Sequence, residues 1–179
     1  PGSIPSPEWK KENFNGDSWR VGDTYNTSIG QYGFQATVMQ ALRATASLAN
    51  GGKLLNPTLL RTNEASALSQ SKQLSFSKEQ LAIVKEGMRE AVLSGTAKGL
   101  NIPQVALAGK TGTAELGSAK KFVNSWITGF FPYENPRFAF AALMEKGPYE
   151  NSIGALYVMR QLFEWMGENT LEYLKTVES

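Results

Sequence analysis

Apolar positions fall at helical spacing in three stretches of this chain and at strand spacing in three others. Val38, Ala41, Leu42, Thr45, Leu48 and Ala49 make one stripe. Thr37-Val-Met-Gln40 is a capping box that starts this helix, and Gly51-Gly52 ends it. Leu81, Val84, Met88, Ala91 and Val92 make a second stripe, opened by the capping box Ser77-Lys-Glu-Gln80, with Gly95 near its end. The third helix runs from Gly154 to Met166 and is expected to bury Leu156, Met159, Leu162, Phe163 and Met166. Glu168 to Ser179 continues it as a weaker, charged tail.

Val105-Ala-Leu-Ala-Gly-Lys-Thr-Gly-Thr-Ala-Glu115 reads as a strand. Ser125-Trp-Ile-Thr-Gly-Phe-Phe131 and Arg137-Phe-Ala-Phe-Ala-Ala-Leu-Met144 read as a hairpin across the loop Pro132-Tyr-Glu-Asn-Pro136. The second hairpin strand is apolar on both faces, so both should be covered. Lys146 to Ser152 reads as a turn. Between these elements the pattern is loop-like. Residues 1 to 24 predict an ordered loop anchored by Trp9 and Trp19. Gly22 to Gly33 is a polar, glycine-punctuated stretch, suited either to a site wall or to a connector. Leu54 to Leu60 reads as an extended edge segment broken by Pro57, and Thr62 to Ser75 as a mobile surface loop. Gly95 to Gly99 and Leu116 to Lys121 read as turns flanking the first strand. Helix, helix, three closely connected strands and a helix predict an α+β fold, an antiparallel sheet covered by helices.

Composition narrows the chemistry. The 179 residues suffice for one domain. They are 41% hydrophobic and 19% charged, as in a globular protein. A net charge of +2, with aromatics spread along the chain, gives no argument for a nucleic-acid partner. The chain has no Cys and no His. That removes disulfides, thiol nucleophiles, Ser-His-Asp triads, and cysteine or histidine metal sites. Acyl transfer here would need Lys, a carboxylate or Tyr as its base. The longest apolar run, Phe138 to Met144, is far shorter than the ~20 residues of a membrane helix. Pro1 to Pro7 looks like mid-chain loop and there is no initiator Met, so a fragment of a longer protein is expected.

The candidate chemistry lies in Lys110-Thr111-Gly112-Thr113. In a strand, Lys110 and Gly112 face one way and Thr111 and Thr113 the other. At a sheet edge this stretch would offer backbone donors and acceptors to an extended ligand, with Gly112 permitting close approach. A cation and two hydroxyls suit a substrate with a carboxylate and a peptide bond. Gly109-Lys110-Thr111 also ends like a phosphate-binding loop. That loop needs a glycine where Gln104 stands, and Val105-Ala-Leu-Ala fills the rest. A plain strand with a solvated lysine is the third alternative.

Taken together, Trp19-Arg-Val-Gly-Asp-Thr-Tyr-Asn-Thr-Ser-Ile-Gly-Gln31, Thr37-Val-Met-Gln-Ala-Leu-Arg-Ala44, Leu48-Ala-Asn-Gly-Gly52, Ala108-Gly-Lys-Thr-Gly-Thr-Ala114 and the hairpin strands resemble one family in order and spacing. It is the transpeptidase domain of class B penicillin-binding proteins, nearest the elongation type, penicillin-binding protein 2. The resemblance covers nearly the whole chain, as the C-terminal portion (residues 1–179) of a single transpeptidase domain with a partial penicillin-binding-protein/β-lactamase-like fold.

The resemblance implies a serine D,D-transpeptidase that cross-links peptidoglycan stem peptides and is acylated by β-lactams. It implies no cofactor or metal, partners among cell-wall elongation proteins, and a location on the outer face of the bacterial inner membrane behind an N-terminal anchor. Lys110 would help proton movement and attract the substrate carboxylate. Thr111 and Thr113 would supply hydroxyls to that carboxylate, Gly112 would keep the strand open, and the Thr113 N–H would join the oxyanion hole. The family set is Ser-x-x-Lys, Ser-x-Asn and Lys-Thr-Gly. No Ser-x-Asn occurs here. Ser69–Lys72, Ser75–Lys78 and Ser118–Lys121 match Ser-x-x-Lys by letter, but none begins a buried helix that would desolvate the lysine. The chain is therefore expected to hold one wall of the site, to lack the nucleophile and to be inactive alone. A non-catalytic peptide-binding module or inactive relative, and a serine β-lactamase or carboxypeptidase of the same superfamily, remain as alternatives.

Overall fold

The computed structural model describes residues 2–60, 71–117, 121–150 and 154–175. It divides into two compact units, residues 1–40 and 41–179.

The first unit is built around a buried cation. Where a loop was expected, two short helices form, α1 (Pro7–Asn13) and α2 (Val21–Ser28). The signals for α1 are local. The Ser6 hydroxyl accepts from the Trp9 amide at 3.2 Å, and Pro7 occupies the first turn, where a missing N–H costs nothing. α2 carries no long apolar stripe. Its start is held by the Asp23 carboxylate, which accepts from the Arg20 amide at 2.7 Å. Lys10 is 3% exposed and bonds Asp23 at 2.6 Å and Asp17 at 3.2 Å. The Trp9, Phe14 and Trp19 rings surround Tyr32 at centroid distances of 5.6 to 6.2 Å, so both expected tryptophan anchors pack here. Gly33 has φ +77°, and a Cβ there would meet the Trp9 ring at 2.4 Å, so both backbone and space demand glycine.

The hydrogen bonds of Asp23 and Asp17 with Lys10 hold both carboxyls below the usual carboxylate range, and the Asp23 bond raises the Lys10 ammonium. The two carboxylates contribute stability that is complete above their unfolded value near pH ~4 and is lost as pH falls through their lowered folded values. The Lys10 contribution is complete below its unfolded value near pH ~10.4 and is lost as pH rises through its raised one. Lys10→Met should lower stability at neutral pH and flatten the acid limb, read by near-UV circular dichroism of urea titrations between pH 3 and 7. An unchanged acid limb in this variant would contradict the assignment.

The capping box at Thr37 forms as expected. Gln40 Oε1 accepts from the Thr37 amide at 2.9 Å, and Thr37 Oγ1 accepts from the Gln40 amide at 3.2 Å. It starts α3 (Val38–Ala49), which ends at Gly51 and Gly52, both at left-handed φ.

In the second unit, of the expected 54–60 edge segment only Leu54 is in a strand, β1 (Lys53–Leu54), which pairs antiparallel with β2 (Lys72–Gln73). The Arg43 guanidinium bonds the Leu55 carbonyl and the Asn56 side chain, which draws the following residues off the strand path. β2 falls in the stretch expected to be a mobile loop; residues 62–70 of that stretch lie outside the described residues. Ser77 and Gln80 cap α4 (Lys78–Leu93) reciprocally, as expected. Leu81, Met88 and Val92 are buried, but Val84 is 43% exposed. It lies about 60° off the centre of that stripe at 100° per residue.

The sheet is β3 (Ala108–Leu116), β4 (Phe122–Phe131) and β5 (Phe138–Pro148), antiparallel in the order β3-β4-β5. β3 begins later than expected, because Val105 closes a short bridge with Ile102. β5 runs past Met144 into the expected turn. A register shift between Val123 and Ser125, closed by the Lys146 amide donating to Asn124 Oδ1 at 3.0 Å, lets it go on pairing to Pro148.

One sheet face packs on α5 (Gly154–Asn169) through Ile127, Phe140, Met159 and Phe163. The other face holds Ala108 and Phe130 against Met88, with Leu48, Ala49 and Tyr133 around them. Leu162 was expected inside but is 43% exposed. The tail does not merely continue as charged helix. A short 3-10 turn, Leu171–Tyr173, sends Leu174 into the first cluster.

Candidate active-site strand

β3 takes its place in the sheet from a pair of glycines. Gly109 lies opposite Gly129, and a Cβ on Gly129 would meet the Ala108 carbonyl at 2.2 Å and the Phe140 ring at 2.4 Å. The absence of side chains there lets β3 lie close to β4 with Phe140 across it. Beyond this buried start the strand opens to solvent. Among the described residues β3 pairs with β4 alone, which puts it at a sheet edge, the condition for an extended ligand to bind along it.

The expected alternation holds. Register pairs Lys110 with Thr128 and Gly112 with Trp126 on one face, Thr111 with Ile127 and Thr113 with Ser125 on the other. Lys110 is exposed, and its ammonium donates to the Thr111 carbonyl at 2.6 Å. Gly112 leaves room beside Trp126, whose Cβ would lie 3.3 Å from an added methyl. Thr111 is half-buried, and its hydroxyl lies 2.7 Å from that of Thr96 in the turn after α4. Thr96 carried no periodic or motif signal in the sequence; only the fold brings it to β3. Ser125 is buried, and its hydroxyl accepts from the Ala155 amide at 3.1 Å, tying the start of α5 to β4.

β3 thus gathers Lys110, Thr111, Gly112 and Thr113 within four residues of one edge. Among the described residues it does not bring them to a buried serine–lysine pair. Ser75 and Lys78 are both exposed, while Ser69 and Ser118 lie outside the described residues. An exposed lysine stays hydrated, so the Ser75–Lys78 pair lacks the desolvation that makes lysine a base. Among the described residues no cluster of three or more carboxylate, His or Cys side chains is arranged to hold a metal. No helix among them is long and apolar enough to cross a membrane.

Among the described residues the Lys-Thr-Gly strand thus lies at one edge of an antiparallel sheet that has helices on both faces. The family model described as "Penicillin binding protein transpeptidase domain" matches residues 6–164, and the chain belongs to that family. It is 30% identical over 175 residues to "Peptidoglycan D,D-transpeptidase MrdA" of Acinetobacter baumannii, covering 87% of this chain and 26% of that protein. Among solved structures it is similar to penicillin-binding protein 2 of Helicobacter pylori in complex with MreC. The TM-score there is 0.71 at 36% identity, over 92% of this chain and 31% of that one. Penicillin-binding protein 2 of Pseudomonas aeruginosa, in complex with WCK 5153, gives 0.69 at 26% identity, over 92% and 38%. The mixed helices and antiparallel sheet, predicted from the sequence pattern, match these transpeptidase domains, as the resemblance implied. The chain spans only about a quarter to two-fifths of these relatives.

Proposed function

We propose that residues 1–179 are the C-terminal portion of the transpeptidase domain of a peptidoglycan D,D-transpeptidase. The observation that carries this reading is the edge position of Lys110-Thr111-Gly112-Thr113 within the span that matches the family. A serine supplied by another part of the parent would attack the penultimate D-Ala carbonyl of a stem peptide. The terminal D-Ala would leave, and the amine of a neighbouring stem would take the acyl group. Lys110 would assist proton movement and attract the substrate carboxylate. Thr111 and Thr113 would offer hydroxyls to the carboxylate, and the Thr113 N–H would face the developing oxyanion. Donors aimed at that charge are worth several kcal/mol, about 3 each. β-Lactams, with a carboxylate and a strained amide, would occupy the same edge.

The parent would act on the outer face of the inner membrane, held by a helix outside this chain. It would work with other elongation proteins; the Helicobacter pylori relative's complex with MreC supports this. Intact mass after incubation with a reporter penicillin tests the reading. A single adduct on the parent, and none on this chain, is expected. An adduct on this chain would show that its own serines react, and no adduct on either would favour a peptide-binding module.

A further inference from the structure

We infer that Thr96 is a positioning residue for Thr111: its hydroxyl donates to Thr111, so that the Thr111 proton is directed at the anionic group of a ligand on the β3 edge. The inference rests on the transpeptidase reading above and adds to it a residue that the Lys-Thr-Gly motif does not contain. Two observations carry it. The hydroxyl oxygens are 2.7 Å apart, a full hydrogen bond in which either can donate. Thr96 is also held by backbone on both sides rather than by packing of its own exposed side chain.

The turn that holds it is tight. The Gly95 amide donates to the Glu90 carbonyl at 3.1 Å, the Ala97 amide to Ala91 at 2.9 Å, and the Lys98 amide to Gly95 at 3.2 Å. A Cβ on Gly95 would meet the Ala91 Cα at 2.9 Å, so the turn closes only with glycine there. Ala97, the next residue, is fully buried. The Thr96 Cα is therefore fixed, and its β-branched side chain has few rotamers to choose from.

A hydroxyl has one proton and two lone pairs. If Thr111 spent its proton on Thr96, it would turn lone pairs toward a carboxylate and repel it. If Thr96 donates, the Thr111 proton is free and its oxygen is polarised, which strengthens the bond it gives to an anion. A carboxylate at the edge selects the second arrangement, provided that Thr96 is there to supply the proton. No covalent step is involved.

The test uses the full-length parent and its second-order rate of acylation by a penicillin, alongside the methyl ester of the same penicillin, which lacks the anion. Thr96→Val should slow acylation by the free acid about 5- to 10-fold, the scale of one hydrogen bond between neutral groups, and leave the ester within about 2-fold. Thr96→Ala is the second variant, in case valine does not fit the turn. Thr96→Ser should restore the rate. Thr111→Val should slow the free acid by itself, and the Thr96→Val/Thr111→Val pair should be no slower than Thr111→Val alone. Equal slowing of acid and ester by Thr96→Val, or multiplicative effects in the double variant, would overturn the inference. So would a Thr96→Val rate equal to wild type while Thr111→Val is slow, an outcome that leaves the site reading standing. A Thr111→Val enzyme as fast as wild type would overturn both.

Discussion

Lys110→Ala in the full-length protein is expected to slow acylation by a penicillin about 100- to 1,000-fold while leaving the fold intact. The fold should survive because Lys110 is exposed and its ammonium donates to the carbonyl of the adjacent residue, Thr111, in an arrangement water can replace. The rate should not survive. Under the proposed function, one cation serves both as counter-charge for the ligand carboxylate and as part of the proton path. Lys110→Arg separates the two. Arginine keeps the charge but stays protonated at any working pH. If the arginine variant recovers most of the rate, Lys110 acts as a counter-charge alone. If it stays as slow as alanine, proton movement through Lys110 dominates. An alanine variant within about 3-fold of wild type would remove Lys110 from the site and most of the case for the edge strand with it.

Phe163→Ala should destabilise this chain by about 3–5 kcal/mol, a large share of the 5–15 kcal/mol that holds a typical domain. Phe163 is 1% exposed. Its ring meets those of Phe131 and Phe140 edge-on, each at a centroid distance of 5.1 Å. It therefore joins α5 to both β4 and β5, and its loss leaves a cavity that the surrounding strands cannot collapse to fill. Leu162, its neighbour in sequence, is 43% exposed, and Leu162→Ala should cost less than about 1 kcal/mol. Urea midpoints at constant m-value compare them. Phe163→Leu serves if the alanine variant does not fold. Equal losses at 162 and 163 would mean that α5 is turned differently against the sheet.

Local signals in the sequence carried much of this architecture. The capping boxes at Thr37 and Ser77 are satisfied within four residues, so they can be read from letters alone. The same holds for Gly51-Gly52 as a helix stop and for the alternation of Lys110 through Thr113. The Lys-Thr-Gly strand, the hairpin after it and the family resemblance all follow from such short-range order.

Tertiary structure decided what depends on partners far along the chain. α2 lacks a long apolar stripe, and its region is organised by Lys10, whose partners Asp17 and Asp23 lie 7 and 13 residues on. Leu162 lies at the margin of the apolar stripe of α5 and Phe163 nearer its centre, and the packing of that helix on the sheet buried one and left the other exposed. Leu174 is drawn inside by a turn the charged tail did not announce. β5 outruns its expected end because Asn124 on the opposite strand closes a bulge in β5. Thr96 meets Thr111 across 15 residues because a glycine-closed turn aims it there. Periodicity reports which face of an element is apolar, whereas burial and hydrogen bonding between elements depend on distances that no local pattern contains.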